Sequence, residues 1–260
     1  MGTPKRPCHT DVMDEANVAQ LEAELAVVDS ELAEPEMVSR RVRFDGPKSM
    51  ARLTAANVEA FDTHVSTLLD PNLAESLLAR PHSASYVGYV ERMQHLAANY
   101  FLSAVPLLEH LRAHVLANYP DKTNRTRVQF NRGFSVAVDR YDGHSVIVAL
   151  RNMVAHRQLP TVRLIRGMHE EQQAVPIIDR RELLESSECK GAVRKLLQSL
   201  DRNELALDGL VLDDGRFVLE FADWFFRIEA LHHSDEFMPM ARLLERRERL
   251  VARLAPFDSR

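Results

Sequence analysis

Three polar residues, Arg151, Asn152 and His156, lie within six positions at the end of an apolar segment. Residues 146–150 are Val-Ile-Val-Ala-Leu, and Pro160 follows the polar group. A histidine can take or give a proton near neutral pH, and a guanidinium can hold a phosphate and stabilise its transition-state charge. An amide beside them can orient either group. This combination suits phosphodiester chemistry, with the histidine moving the proton of a ribose 2′-OH or of a leaving 5′-oxygen.

The same residues also have a purely structural interpretation. At 100° per residue, Asn152 and His156 lie on one face of a helix, and basic side chains near a helix C-terminus can bond to its last carbonyls. The helix dipole there favours a protonated histidine by about 0.3–1 kcal/mol at an exposed site. Spacing alone favours this capping interpretation over catalysis.

Several amphipathic helices should position the polar group. Apolar residues at helical spacing predict helices over 12–34, 51–69, 83–118, 125–140 and 144–157. The last of these is apolar on almost every side, which is typical of a helix buried on more than one face. Long periodic segments and only nine glycines argue against a sandwich of many short strands.

After Pro160 the pattern changes to two short β-like runs, and we predict a hairpin at about 161–178. Asp179 should cap a further helix. Three more helices are expected over 189–201, 216–233 and 237–254, separated by turns such as Asp213-Asp214-Gly215.

The predicted fold is mainly α, with this small β-hairpin as an insertion. We divide the chain into an N-terminal helical arm and linker over 1–46 and a helical domain over 47–260. The connector that contains Arg40, Gly46 and Pro47 is interpreted as a hinge or boundary.

Composition indicates an ordinary globular protein. The 260 residues are 45% hydrophobic and 27% charged, and the net charge of −5 does not indicate a nucleic-acid-binding protein. The two cysteines have no metal or disulfide spacing. No apolar signal-peptide core follows Met1–Thr10, and no apolar run is long enough to span a bilayer. We therefore expect a cytoplasmic protein without membrane contact.

No motif for a cofactor or metal is present. The sequence lacks a glycine-rich phosphate loop, a nucleophile elbow and a paired-cysteine site. His110 and His114 have the spacing of zinc ligands, but Leu111 follows the first histidine, so the metalloprotease pattern fails. We predict neither a cofactor nor a metal.

A basic segment, 122–134, contains Arg125, Arg127 and Arg132 interleaved with Phe130 and Phe134. Such a pattern could follow a single-stranded backbone and stack a base. A helix with a solvated basic face and core phenylalanines is the favoured alternative. These three arginines, with Arg157 beside the polar group, are the candidate RNA-binding residues.

Arg151-Asn152-Met153-Val154-Ala155-His156 resembles the Arg-x4-6-His signature of the HEPN superfamily of helical proteins. The wider run from Ala149 to Pro160 is similar to bacterial HEPN-like proteins with a Leu-Arg-Asn…His…Leu-Pro run. The resemblance is anchored near 140–160, and we expect the topology of the family to extend over about 50–255.

This resemblance implies a homodimeric helical bundle in which two such motifs share one cleft. Active members are metal-independent endoribonucleases, often toxins or antiviral effectors. Carried over, Arg151 and His156 are the catalytic pair and Asn152 the polar residue beside them. A further acidic or polar residue on a neighbouring helix is common, and spacing alone does not assign it.

Two other hypotheses remain open. One is a non-catalytic HEPN-like module whose arginine and histidine stabilise a dimer or bind RNA or a nucleotide. The other is a scaffold subunit that joins a larger assembly through the helix at 12–34. The net negative charge of the chain favours these two over the nuclease.

Overall fold

A computed structural model describes residues 9–141, 143–156, 159–167 and 174–255. Their fold is mainly helical with a small antiparallel sheet, which confirms the predicted class. The helices are α1 (His9–Ala33), α2 (Pro35–Ser66), α3 (Pro71–Ala79), α4 (Ala84–Asn118), α5 (Arg125–Arg140), α6 (Gly143–Ala155), α7 (Arg180–Glu185), α8 (Gly191–Ser199), α9 (Leu207–His232) and α10 (Ser234–Leu254), and a short 3-10 helix covers Thr67–Leu69.

The chain forms two compact units. The first consists of Met1–Gly46 with Ala230–Arg260, and the second of Pro47–Glu229. In the first unit α1 packs on α10 around a small apolar core that includes Leu21, Val28 and Leu250. The sequence analysis placed residues 230–260 with the second domain, whereas the structure groups them with the N-terminal segment.

Local signals explain where several helices begin. The side chain of Ser83 accepts a hydrogen bond from the Tyr86 amide at the start of α4, and Asp179 accepts one from Arg181 at the start of α7, as predicted. Each bond satisfies an amide that has no partner within its own helix. Helix α4 continues through Pro106 to Asn118.

The sheet contains β1 (Val162–Arg166), β2 (Ala174–Asp179) and β3 (Glu204–Ala206) in the order β1-β2-β3. Strands β1 and β2 pair antiparallel in a register that places Val162 opposite Ile178, so the predicted hairpin is confirmed. Strand β3, which the sequence analysis missed, pairs antiparallel with β2.

Two expectations about helix boundaries are wrong. Helix α2 begins at Pro35, not near residue 51, and runs without interruption through the connector that was interpreted as a hinge or boundary, with Pro47 inside it. A proline disfavours helical backbone at the preceding residue, partly because it clashes with the Cβ of that residue. Gly46 has no Cβ, so this part of the clash is absent and the helix can continue. The division between the two units nevertheless falls at this step.

The predicted turn at Asp213-Asp214-Gly215 is instead part of α9. The Asp214 side chain is fully buried and hydrogen-bonded, so it does not need a turn to reach water. Gly215 lies so close to Val58 that an added Cβ would be 2.7 Å from its Cγ2. Both residues therefore fit within the helix, Asp214 through its buried hydrogen bonds and Gly215 through its close contact with Val58.

The second unit contains two apolar cores. One is built from the first half of α4, from α6 and from the sheet, and it includes Ile147, Leu150 and Met153 of α6. The other joins the second half of α4 to α5 and α9. Burial of each large apolar side chain contributes roughly 1.5–3 kcal/mol, so the buried residues of α6 hold this helix against its neighbours. Across the described segments, no helix has the length and apolar character needed to cross a bilayer.

Candidate functional site

Arg151 lies in α6, four residues before the helix ends at Ala155, and its side chain is about 30% exposed. Its Nη1 donates to Oδ1 of the neighbouring Asn152 at 3.1 Å. Its Nη2 lies 3.7 Å from Oε2 of Glu109, an exposed residue of α4. The amide thus orients the guanidinium, as expected of Asn152, and a carboxylate from another helix faces it.

His156 comes one residue after the end of α6. Its backbone amide donates to the carbonyls of Asn152 and Met153, at 3.0 and 3.1 Å, and so completes the helix. The side chain is 68% exposed, and its Nε2 lies 3.8 Å from Oε1 of Glu188. The imidazole is therefore open to solvent and has one acidic neighbour.

The turn between α7 and α8 fixes Glu188. Its backbone amide donates to Oγ of Ser186 at 3.2 Å, and Ser187 Oγ donates to its carboxylate at 3.3 Å. The Glu188 side chain is only 24% exposed. A partly buried acid on a defined turn can hold the histidine ring in one orientation.

The two basic groups of the motif therefore each face a carboxylate from a distant part of the sequence. Within the described segments, neither the Arg151 nor the His156 side chain donates a hydrogen bond to a carbonyl of α6. The contacts thus differ from those that the capping interpretation requires. Arg151 bonds to Asn152 and faces Glu109 of α4, whereas His156 faces Glu188, and both side chains are accessible from solvent.

The candidate RNA-binding residues divide into separate groups. Arg125 and Arg132 are exposed on α5. Arg127 is half-buried, and its Nη1 donates to the carbonyls of Tyr119 and Pro120 at 3.3 and 2.5 Å, just beyond the end of α4. Arg127 therefore stabilises the α4–α5 turn, and Arg125 and Arg132 remain the members open to a ligand. Arg157 lies outside the described residues.

The phenylalanines of the basic segment belong to the second apolar core. Phe130 is buried and Phe134 is partly buried, with ring centroids 5.9 Å apart. Phe130 also packs against Phe225 of α9 at 5.2 Å. This arrangement matches the alternative in which these rings are core residues.

The spacing of His110 and His114 does not correspond to a metal site. His110 is exposed, whereas His114 is buried with its Nε2 2.6 Å from Glu229 Oε1. The same carboxylate oxygen accepts a hydrogen bond from Tyr119 at 2.6 Å. In the segments that the structure describes, no group of three or more His, Cys, Asp and Glu side chains is arranged to hold a metal ion.

A buried polar cluster near the start of α6 was missed from sequence. Asp214 of α9 accepts from the Tyr100 hydroxyl at 2.5 Å and lies 2.9 Å from Nδ1 of His144. All three residues are buried. Burial and the adjacent Asp214 raise the pKa of Tyr100, so its hydroxyl keeps its proton and donates. The cluster connects α4, α6 and α9 and thereby fixes the helix that carries Arg151.

One sequence signal could have located this cluster. Val211, Asp214, Val218 and Phe221 recur at helical spacing, and all four side chains are buried in α9. An aspartate on an apolar stripe needs a buried partner. The glycine after Asp214 instead favoured a turn.

Comparison of the chain with known family models, with curated proteins and with solved structures finds no match.

Proposed function

We propose that this protein is a metal-independent endoribonuclease, with Arg151 and His156 as its catalytic pair. The observation that supports the proposal best is the disposition of these two side chains. Arg151 is oriented by Asn152, and His156 is exposed immediately after the same helix. The arrangement provides a phosphate-binding group within α6 and a proton-transfer group one residue after its end.

In the proposed reaction the ribose 2′-oxygen attacks the adjacent phosphorus. The new 2′-O–P bond forms as the P–5′-O bond breaks, leaving a 2′,3′-cyclic phosphate and a 5′-hydroxyl. One imidazole takes the proton of the 2′-OH, and an imidazolium gives a proton to the 5′-oxygen. Arg151 holds the phosphate and stabilises its additional negative charge.

Two histidines are needed if base and acid act together, and the motif contains one. A homodimer formed through α6 would bring a second His156 to the same cleft. The resemblance to HEPN proteins also supports such a dimer. In this proposal Glu109, on the neighbouring helix α4, takes the role of the acidic residue that is common in that superfamily.

The carboxylates also favour a second candidate function. Glu109 lies beside Arg151 and Glu188 beside His156, and the chain as a whole carries a net charge of −5. A module that binds RNA or a nucleotide without cleaving it would need the arginine but no proton transfer. Cleavage and binding must therefore be measured separately.

The test uses purified protein with structured and unstructured RNA, in the presence of EDTA. Arg151→Ala and His156→Ala should each lower the cleavage rate by roughly 10²–10⁴-fold, the usual contribution of such groups. Arg166→Ala and His95→Ala are matched controls, because they remove an exposed arginine paired with an acid and an exposed histidine. The products should end in 2′,3′-cyclic phosphate.

Three results would contradict the nuclease. Cleavage that both substitutions leave unchanged would assign the activity to other residues or to a contaminant. Cleavage abolished by EDTA would contradict a metal-independent reaction. RNA binding that depends on Arg151, with no cleavage of any RNA, would establish the binding module instead. Light scattering of each variant shows whether dimers persist.

A further inference from the structure

Helix α5 carries a basic row on one exposed face. Val128 is 48% exposed, with Arg125 three residues before it and Arg132 four residues after it. Residues at these separations are neighbours on one side of a helix. Both arginines are exposed, and no ion pair joins either of them to a described carboxylate. The basic row therefore presents one positive charge on each side of an apolar side chain.

Helix α1 carries an acidic row with the same arrangement. Val27 is 52% exposed, with Glu24 three residues before it and Glu31 four residues after it. The Glu24 side chain is 39% exposed and lies 3.9 Å from Nη2 of Arg246, which is an exposed ion pair of the kind that contributes little. Helix α1 contains no lysine or arginine, so the acidic row has no basic neighbour within its own helix.

The two rows match in spacing and in size, and their charges are opposite. When the helices lie side by side in either relative direction, Val27 can meet Val128 while each glutamate meets an arginine. Opposite charges that face each other across an interface steer association and fix its register, and contact between the valines removes apolar surface from water. Both valines are exposed, so each row is open to a second copy of the chain.

We propose that this protein associates with itself by docking the acidic row of α1 on the basic row of α5 in a second copy. Each copy has one row of each sign, so a reciprocal contact closes a dimer and a one-way contact builds larger assemblies. The contact uses no residue of α6 and is separate from the dimer of the proposed nuclease. It also covers Arg125 and Arg132, so RNA would compete with the second copy. This competition rests on the proposed function, whereas the contact itself does not.

Analytical ultracentrifugation of the full chain without RNA tests the contact over a series of protein concentrations. At about 0.1 M salt the wild-type mass should rise with concentration, and at about 1 M salt this rise should disappear because exposed charges are screened. The α1 variant Glu24→Lys/Glu31→Lys should abolish the rise. The α5 variant Arg125→Glu/Arg132→Glu should abolish it too. An equimolar mixture of the two variants should recover it, because each row then meets a row of opposite charge.

Glu22→Lys/Arg92→Glu is the matched control, because it reverses two exposed charges outside both rows and should leave the rise unchanged. Glu24→Gln/Glu31→Gln, which only neutralises the acidic row, keeps the test decisive if the lysine variant does not fold. A dimer through α6 would contribute equally to every sample, so the comparison does not depend on the nuclease. A mixture no heavier than its components would overturn the proposal. A wild-type mass independent of concentration, with RNA binding lost in the α5 variant, would assign the basic row to RNA instead.

Discussion

Replacement of Asp214 by alanine should be among the most destabilising single substitutions in the unit Pro47–Glu229. The carboxylate is fully buried and serves two donors, the Tyr100 hydroxyl at 2.5 Å and the His144 ring at 2.9 Å. Asp214→Ala leaves both groups buried without their acceptor. The cluster also connects α6 to α4 and α9, so its loss should loosen the helix that carries the candidate site.

The expected magnitude follows from the two unsatisfied groups. Each buried polar group that loses its partner costs about 1–3 kcal/mol, and the substitution leaves two such groups. We expect a loss of roughly 3–5 kcal/mol in the free energy of unfolding. Total stability of a domain is typically about 5–15 kcal/mol, so the variant should retain a measurable transition. Tyr100→Phe should cost less, about 1–3 kcal/mol.

Urea unfolding followed by circular dichroism measures these differences. Asp213→Ala, which alters the exposed neighbouring aspartate, is the control and should remain within about 0.5 kcal/mol of wild type. A double-mutant cycle with Tyr100→Phe should give a clear coupling energy to Asp214. If Asp214→Ala is no more destabilising than Asp213→Ala, or if the coupling is zero, the buried cluster does not stabilise the fold as we argue.

Two further predictions concern close packing and thiol reactivity. Gly133→Ala should lower the unfolding temperature, because an added Cβ would collide with the ring of Trp224. Gly88 of α4 has open space around it, so Gly88→Ala should stabilise the protein by about 0.5–1 kcal/mol. Equal effects of the two substitutions in thermal unfolding would refute this contrast. Cys189 should resist alkylation in the native state and react in urea, because it is buried and burial raises the pKa of its thiol, against the smaller effect of Arg194. Rapid native labelling at Cys189, located by peptide mass spectrometry, would contradict its burial.

Elements with strong local signals could be predicted from sequence. Helix α4 begins at the cap on Ser83 and carries a long apolar stripe. In the hairpin, β1 alternates buried and exposed residues, and β2 is a short, mostly buried apolar run. These features depend on neighbours in the chain. Helix α6 was also predicted, because a helix that is apolar on almost every side is normally buried in a protein core.

Elements that depend on distant contacts were missed. The start of α9 looks like a turn because Asp214 and Gly215 favour one locally, yet Tyr100, His144 and Val58 explain why both fit a buried helix. Strand β3 has only three residues and forms because β2 offers a free edge. The distant partners of α9 and of β3 cannot be identified from local spacing in the sequence.

The candidate site shows the same division between local and distant information. Spacing identified Arg151, Asn152 and His156, and the resemblance attached a chemistry to them. Glu109 and Glu188 come from α4 and from the turn after α7, and no motif connects them with α6. The sequence therefore indicated the arginine and the histidine of the candidate site but not the carboxylates that face them.

These carboxylates affect how RNA could reach the site. Exposed ion pairs contribute about 0–1 kcal/mol, and the separations of 3.7 and 3.8 Å are longer than those of strong charge-assisted hydrogen bonds. A phosphate that accepts two N–H bonds from Arg151 should gain about 1.5–3 kcal/mol per bond. The phosphate can therefore displace Glu109, while Glu188, held by its turn, can remain beside His156. On these magnitudes the acids orient Arg151 and His156 in the free protein and do not exclude a phosphodiester.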